Sequence, residues 1–220
     1  MINTVIFDMD GVIVDTEPVH HYALNQHFNE LGIEVSPQEY ASFTGGSTRN
    51  VYQRLREKYH LAQNVETLVL RKREIFNQAF NEKKDLDLIS GARKLIEDLY
   101  SSDFQLILGS SSAKVTIDRI FNRFKLFPYF RHIVSGEDFP KSKPDPAIFL
   151  EAVRVSGEPK KHCIVIEDST NGVRAANAAG IFCVGYVSEH SLKQNLSSAD
   201  FVIHDFSELN PEIIRNFTNG

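Results

Sequence analysis

At 220 residues the chain is long enough to bury a proper core, as one domain or as two small ones. Acidic residues outnumber basic ones 29 to 24, the net charge is −5 and no basic stripe stands out, which argues against nucleic acid as a partner. The apolar runs are strand-sized and no basic leader precedes an apolar stretch, so neither secretion nor membrane insertion is expected; a cytoplasmic monomer is.

In chain order, residues 4–7 predict a buried strand, and nothing comparable follows until QLILGS at 105–110. The intervening stretch is helical. Pro18 opens a run to Leu31 that Gly32 closes, Ser36-Pro37 starts a short second helix, Ser47 caps a third to about Tyr59, and Asn64 caps a long fourth, VETLVLRKREIFNQAFNEKK. From residue 90 strands and helices alternate. ARKLIEDLY carries Ala92, Leu95, Ile96, Leu99 and Tyr100 on one face. Strands follow at 105–110, 132–135, 163–167 and 182–186, separated by helices near 114–124, 146–156 and 171–179, the pattern of crossovers in a parallel sheet. Cys163 and Cys183 lie in strand-like runs and are expected to be buried thiols rather than a disulfide or metal pair. The expected architecture is a doubly wound α/β core, residues 1–15 and 90–220, with a helical insert at 16–86.

In such sheets ligands bind beyond the carboxyl ends of the strands. Asp8 and Asp10 follow the first strand, Ser110 ends the second, Glu167 and Asp168 end the fourth, and Lys143 lies in the connection KSKPDP. Each alone has an ordinary reading: a turn aspartate, a helix cap at Asp168-Ser169, or a cap and first helical position at Asp145-Pro146. Together they place a nucleophile-acid pair, a hydroxyl, a cation and a second acidic pair at one end of one sheet. The carboxylates of VIFDMDGVIVDTEP, at 8, 10 and 15, repel one another unless a cation neutralises them or one keeps a proton.

DMDGV with its trailing DTEP, the serine of LILGSSS, the lysine of KPDP, and EDS followed by NGVRAANAAG occur here in the order in which they occur in the haloacid dehalogenase superfamily. The chain resembles the phosphatase and β-phosphoglucomutase branch of that superfamily, and the insert matches the position and helical character of its mobile cap. The resemblance implies a phosphoryl-transfer enzyme in which Asp8 attacks phosphorus and forms an aspartyl phosphate. It implies a Mg²⁺ held by Asp8, the main-chain carbonyl of Asp10 and Asp168, with Glu167 ligating directly or through water. Asp10 then serves as acid and base, which requires a pKa well above the usual 3.9 or so. Ser110 and the amides after it bind phosphate oxygens, and Lys143, rather than Lys141, neutralises phosphate and Asp8.

The insert is expected to set specificity for a small phosphate ester, with Thr16, His20, Gly46, Arg49, Arg73 and Ser111 as candidate substrate contacts. Glycines of GGSTR let backbone approach a ligand, and Arg49 can pair with a second anionic group. The resemblance aligns Arg49 with a substrate-binding arginine, His20 with a hinge histidine, and Arg73 with a basic cap residue, arginine here replacing lysine. Asp15 reads as a structural hinge residue, and His21 and His27 as surface or core histidines. A phosphatase of sugar phosphates is the favoured outcome, with a β-phosphoglucomutase-type mutase as the alternative. A dehalogenase needs neither Mg²⁺ nor Asp10. A phospho-accepting receiver module carries its phosphoacceptor on a different strand from its acidic pair and has no helical insert.

Overall fold

The structure is a computed structural model that describes residues 1–188 and 194–217. Strands β1 (Thr4–Phe7), β2 (Gln105–Ser110), β3 (His132–Ser135), β4 (Cys163–Glu167) and β5 (Phe182–Tyr186) fall where the apolar runs place them. A sixth, β6 (Phe201–Ile203), extends the sheet beyond the expected five. All pairings are parallel, in the order β3-β2-β1-β4-β5-β6. The chain winds outward from β1 in one direction and from β4 in the other. The crevice between β1 and β4 is therefore the topological switch point of a doubly wound sheet.

Side chains alternate across this sheet with period two. Val5, Phe7, Leu106, Leu108, Ile164 and Ile166 enter one core layer with Leu95, Ile96 and Leu99 of α5 (Ala92–Ser101) and Ile117, Ile120 and Phe121 of α6 (Lys114–Phe124). Ile6, Ile107, Cys163, Val165 and Cys183 enter the other, against α7 (Ala147–Ser156) and α8 (Thr170–Ala179). Both faces being covered explains why the strands are continuously apolar rather than alternating. Each buried aliphatic side chain contributes about 1.5–3 kcal/mol. Both cysteines are buried free thiols, as expected.

Four helices lie between β1 and β2: α1 (Glu17–Leu31), α2 (Pro37–Ala41), α3 (Thr48–Tyr59) and α4 (Val65–Glu82). The hydroxyls of Ser36 and Ser47 and the amide oxygen of Asn64 accept from the backbone N–H groups of Glu39, Asn50 and Thr67, capping α2, α3 and α4 as their sequences predict. Leu24, Phe28, Phe43, Val51, Tyr52, Leu55 and Leu68 form an apolar cluster of their own. His27 is buried beside it, its Nδ1 2.6 Å from the Tyr52 hydroxyl. Phe76 and Phe80, further along α4, instead join Val19 and Ala23 in the core beside the sheet. One long helix thus spans both clusters. No helix among the described residues is long and apolar enough to cross a membrane.

Candidate active site

Register carries the site. Phe7 pairs with Leu108 on one side and Ile166 on the other, so Asp8 emerges between the ends of β2 and β4. Its N–H donates to Ile166 O at 3.0 Å, and its carboxylate is buried. Lys143, reaching in from the β3–α7 connection, donates from Nζ to Asp8 Oδ1 at 2.6 Å, Glu167 Oε1 at 2.8 Å and Gly109 O at 2.9 Å. No part of its side chain reaches solvent.

Glu167 is fully engaged. Its Oε2 accepts from the N–H groups of Asp168 and Ser169 and the Ser169 hydroxyl, each at 2.9 Å. The same hydroxyl accepts from Gly172 N–H at 3.0 Å and caps α8. A Cβ on Gly172 would come 1.8 Å from the Glu167 carboxyl group, so the NG of STNGV is a close-approach glycine. With both oxygens hydrogen-bonded, Glu167 holds the lysine and the loop together.

Asp168 is the opposite case: it is buried and has no cation or hydrogen-bond donor of its own among the described residues. Ligand oxygens of Asp8, Glu167 and Asp168 lie within 4.8 Å of one another. Gly11, at φ +84°, leaves the space that Asp168 occupies, since a Cβ there would fall 2.1 Å from Asp168 Oδ2. Burial pushes Asp8 up to about 8; Lys143 opposes this, while Glu167 and Asp10 add to it. Burial likewise drives Asp168 well above the usual carboxylate range, with Glu167 and Asp8 reinforcing it. Fully ionised, these three carboxylates and one ammonium leave two uncompensated negative charges, the amount a divalent cation would neutralise. The donors are all oxygen, which suits a hard ion.

A consequence is measurable. Above pH 4 or so the unfolded chain holds these aspartates ionised, whereas the folded metal-free protein keeps protons on them. Stability is therefore fully present below the unfolded pKa and is lost as pH rises toward 8. Thermal unfolding in EDTA should show a midpoint falling between about pH 5 and pH 8, at up to about 1.4 kcal/mol per pH unit for each proton held. A divalent cation should flatten the slope; a slope unmoved by metal would argue against the cluster as its site.

Asp10 departs from expectation. Burial raises its pKa, but His20, Thr16 and Ser112 outweigh that and pull it down to about 2. The Thr16 hydroxyl donates to Asp10 Oδ1 instead of capping α1. Ser112 Oγ donates to Oδ2 at 2.7 Å. His20 Nε2 lies 3.4 Å from Oδ1. Thr16 and His20 are one helical turn apart and so share a face. In this arrangement the Thr16 and Ser112 donors, with His20 nearby, favour the charged form of Asp10, whereas the acid role expected of it requires the protonated form.

His20 stacks on Phe76 with ring centroids 4.4 Å apart, and its Nδ1 lies 2.7 Å from Lys72 Nζ. An ammonium donating to Nδ1 leaves the imidazole hydrogen on Nε2, the nitrogen that faces Asp10. Lys72 is buried, and burial lowers its pKa to about 8 against the pull of Asp10 and Glu17. The resemblance aligns Arg73 with the basic cap position; Arg73 turns outward to Glu137, Nη2 to Oε1 at 3.3 Å, and Lys72 turns in. The missed signal was spacing: Lys72 lies four residues from both Leu68 and Phe76 on the buried face of α4.

These groups open on a cavity of about 260 Å³ lined by Asp8, Asp10 and Asp168 on the sheet side and by α1, α3, α4 and the loop before α3 opposite. Gly46, Ser111 and Ser112 line it, and so do Arg49 and Arg73 at its outer part. Ser111 Oγ donates to Gly45 O at 2.8 Å, tying the loop to the sheet end. Ser110 is buried beneath, its Oγ accepting from Ser112 N–H at 3.1 Å. Arg49 makes a two-pronged pair with Glu66. Of the expected residues, Asp8, Asp10, Thr16, His20, Lys143, Glu167 and Asp168 converge; Arg49 and Arg73 stand apart at the rim.

Residues 5–186 match the family described as haloacid dehalogenase-like hydrolase. The chain belongs to that family. It is 29% identical to the β-phosphoglucomutase of Bacillus subtilis over 225 residues, covering 96% of this chain and 92% of that one. It is 28% identical to the phosphoglycolate phosphatase of Pseudomonas savastanoi pv. phaseolicola over 212 residues, 94% of this chain and 78% of that one. Among solved structures, the β-phosphoglucomutase of Clostridium difficile superposes with a TM-score of 0.85 at 27% identity, over 97% of this chain and 96% of that one. This haloacid dehalogenase-like protein is thus an enzyme of the phosphatase and phosphoglucomutase kind.

Proposed function

We propose that the chain is a Mg²⁺-dependent phosphatase of small phosphorylated metabolites, sugar phosphates among them, that works through an aspartyl phosphate on Asp8. The observation that carries this reading is the Asp8 carboxylate at the switch point, bound on one oxygen by Lys143, with a buried Asp168 beside it that has no ion-pair partner among the described residues, and Asp10 close by. Helices α1–α4, residues 16–86, are assigned as a cap over a core of 1–15 and 90–220.

Asp8 Oδ2, the oxygen not engaged by Lys143, attacks phosphorus. A bond from that oxygen to phosphorus forms as the ester bond to the leaving oxygen breaks. Lys143 keeps Asp8 and the incoming phosphate from repelling one another. The Ser110 hydroxyl still has its own hydrogen to donate to a phosphate oxygen, and Ser112 holds Asp10 in position. Asp10 must take up a proton before it can protonate the leaving alcohol, and the arrival of a phosphate dianion beside it favours that protonation. In the second half, Asp10 removes a proton from water, which attacks phosphorus and releases Asp8. Mg²⁺ held by Asp8, Asp168 and the Asp10 carbonyl would neutralise the equatorial phosphoryl oxygens.

The likeness to β-phosphoglucomutases keeps a second outcome in view, transfer of the same phosphoryl group to a bound phosphosugar instead of water. One assay separates the two: phosphate release and isomerised sugar phosphate are followed independently over a panel of esters with Mg²⁺. Free phosphate from several esters without isomerisation is expected. Bisphosphate-primed conversion of β-glucose 1-phosphate would establish the mutase. EDTA should lower turnover by at least about 10²-fold and added Mg²⁺ should restore it; turnover undiminished by thorough chelation would refute the mechanism.

A further inference from the structure

The outer half of the cavity is where a substrate's leaving group must lie, and its two arginines are already paired. Arg49 Nη1 donates to Glu66 Oε2 at 3.0 Å, and Nη2 takes the other oxygen. Arg73 is held by Glu137, whose second oxygen accepts from Lys114 N–H at 3.1 Å, so that carboxylate is anchored on the sheet side. Lys72 is turned inward to His20. Glu17, the remaining carboxylate of this wall, accepts from the Tyr40 hydroxyl at 3.0 Å. Arg49 and Arg73 thus face Glu66 and Glu137, while Lys72 and Glu17 contact His20 and Tyr40, and all of these charged residues line the cavity. Between them the wall is apolar: Leu24, Phe43, Val51, Val69 and Leu70.

We propose that this wall selects phosphate monoesters whose leaving alcohol is uncharged and presents a carbon face, and that Glu66 and Glu137 set the preference by occupying Arg49 and Arg73. The inference rests on the phosphatase reading of Asp8 given above and adds the substrate class. A second phosphate or a carboxylate on the substrate has to displace Glu66 from Arg49 and then lie beside the carboxylate it displaced. The Arg49–Glu66 pair is half exposed, 50% and 60%, so the discrimination is a matter of several-fold rather than absolute. An uncharged polyol requires no such displacement, and its C–H faces pack on the apolar residues.

The test compares kcat/KM, with Mg²⁺, for glycerol 3-phosphate and glucose 6-phosphate against phosphoglycolate and fructose 1,6-bisphosphate. The wild-type enzyme should favour the first pair by about 3- to 5-fold. Glu66→Gln frees Arg49 and should raise the ratio of anionic to uncharged esters about 3- to 10-fold, mainly through KM. Arg49→Gln added to Glu66→Gln should cancel that gain, and Glu137→Gln should move the ratio the same way through Arg73. A wild-type preference for phosphoglycolate or the bisphosphate, or a ratio that Glu66→Gln leaves unmoved, overturns the proposal while hydrolysis of the uncharged esters upholds the phosphatase reading. Failure to hydrolyse any ester, p-nitrophenyl phosphate included, overturns both.

Discussion

Asp8→Asn is expected to lower turnover by at least about 10³-fold while the metal-free protein at pH 8 becomes no less stable than wild type. Both halves follow from the same geometry. Asparagine keeps the shape of the side chain and an Oδ1 that can accept from Lys143, so the 2.6 Å contact can survive in kind. What it lacks is the anionic oxygen that attacks phosphorus. It also removes one of the three carboxylates crowded around one ammonium, a group whose ionisation burial already opposes up to about pH 8. Activity measured by phosphate release and unfolding followed by calorimetry in EDTA therefore give separate answers. Turnover within tenfold of wild type would end the covalent assignment; a midpoint several degrees lower would mean that the variant lost its fold rather than its nucleophile.

The core was legible because its strands are buried on both faces and read as continuous apolar runs bounded by helices of clear period. The same logic explains what escaped. β6 has three residues, two of them partly exposed, and α9 (Pro211–Arg215) has five, both too short to register as periodic. Asp8, Glu167, Asp168 and Lys143 were legible together because a parallel register forces strand ends into one place. Their surroundings were not. The low pKa of Asp10 depends on donors that tertiary structure brings in, Thr16 from the first turn before α1 and Ser112 from 102 residues away. Lys72 was hidden in the triplet RKR, where only one of three cations faces inward, and α4's phase relative to Leu68 and Phe76 decides which. Arg49's partner Glu66 lies 17 residues on, on another helix, a pairing that no local pattern encodes.

Lys143→Met should be the most destabilising substitution at the site. Methionine fills much of the same volume and can pack on Phe149, whose ring centroid lies 4.7 Å from Nζ. It cannot replace the three donated hydrogen bonds, so Asp8 and Glu167 lose their shared cation and Gly109 O its side-chain donor. Removing one partner from a buried ionic cluster costs about 3–5 kcal/mol. That loss must itself depend on pH. Lys143 opposes the burial that raises Asp8, so without it Asp8 holds its proton to still higher pH, and protonated Asp8 needs no cation. The difference in unfolding free energy between variant and wild type, measured in EDTA, should accordingly change little from about pH 5 to pH 7 and grow as pH rises through about 8. Mg²⁺ should recover more stability in the variant than in wild type, since it then supplies the only positive charge at the strand ends, yet turnover should stay at least about 10²-fold down. A loss of the same size at about pH 6 and pH 9 would assign Lys143 to packing alone and leave the phosphate without its expected protein cation.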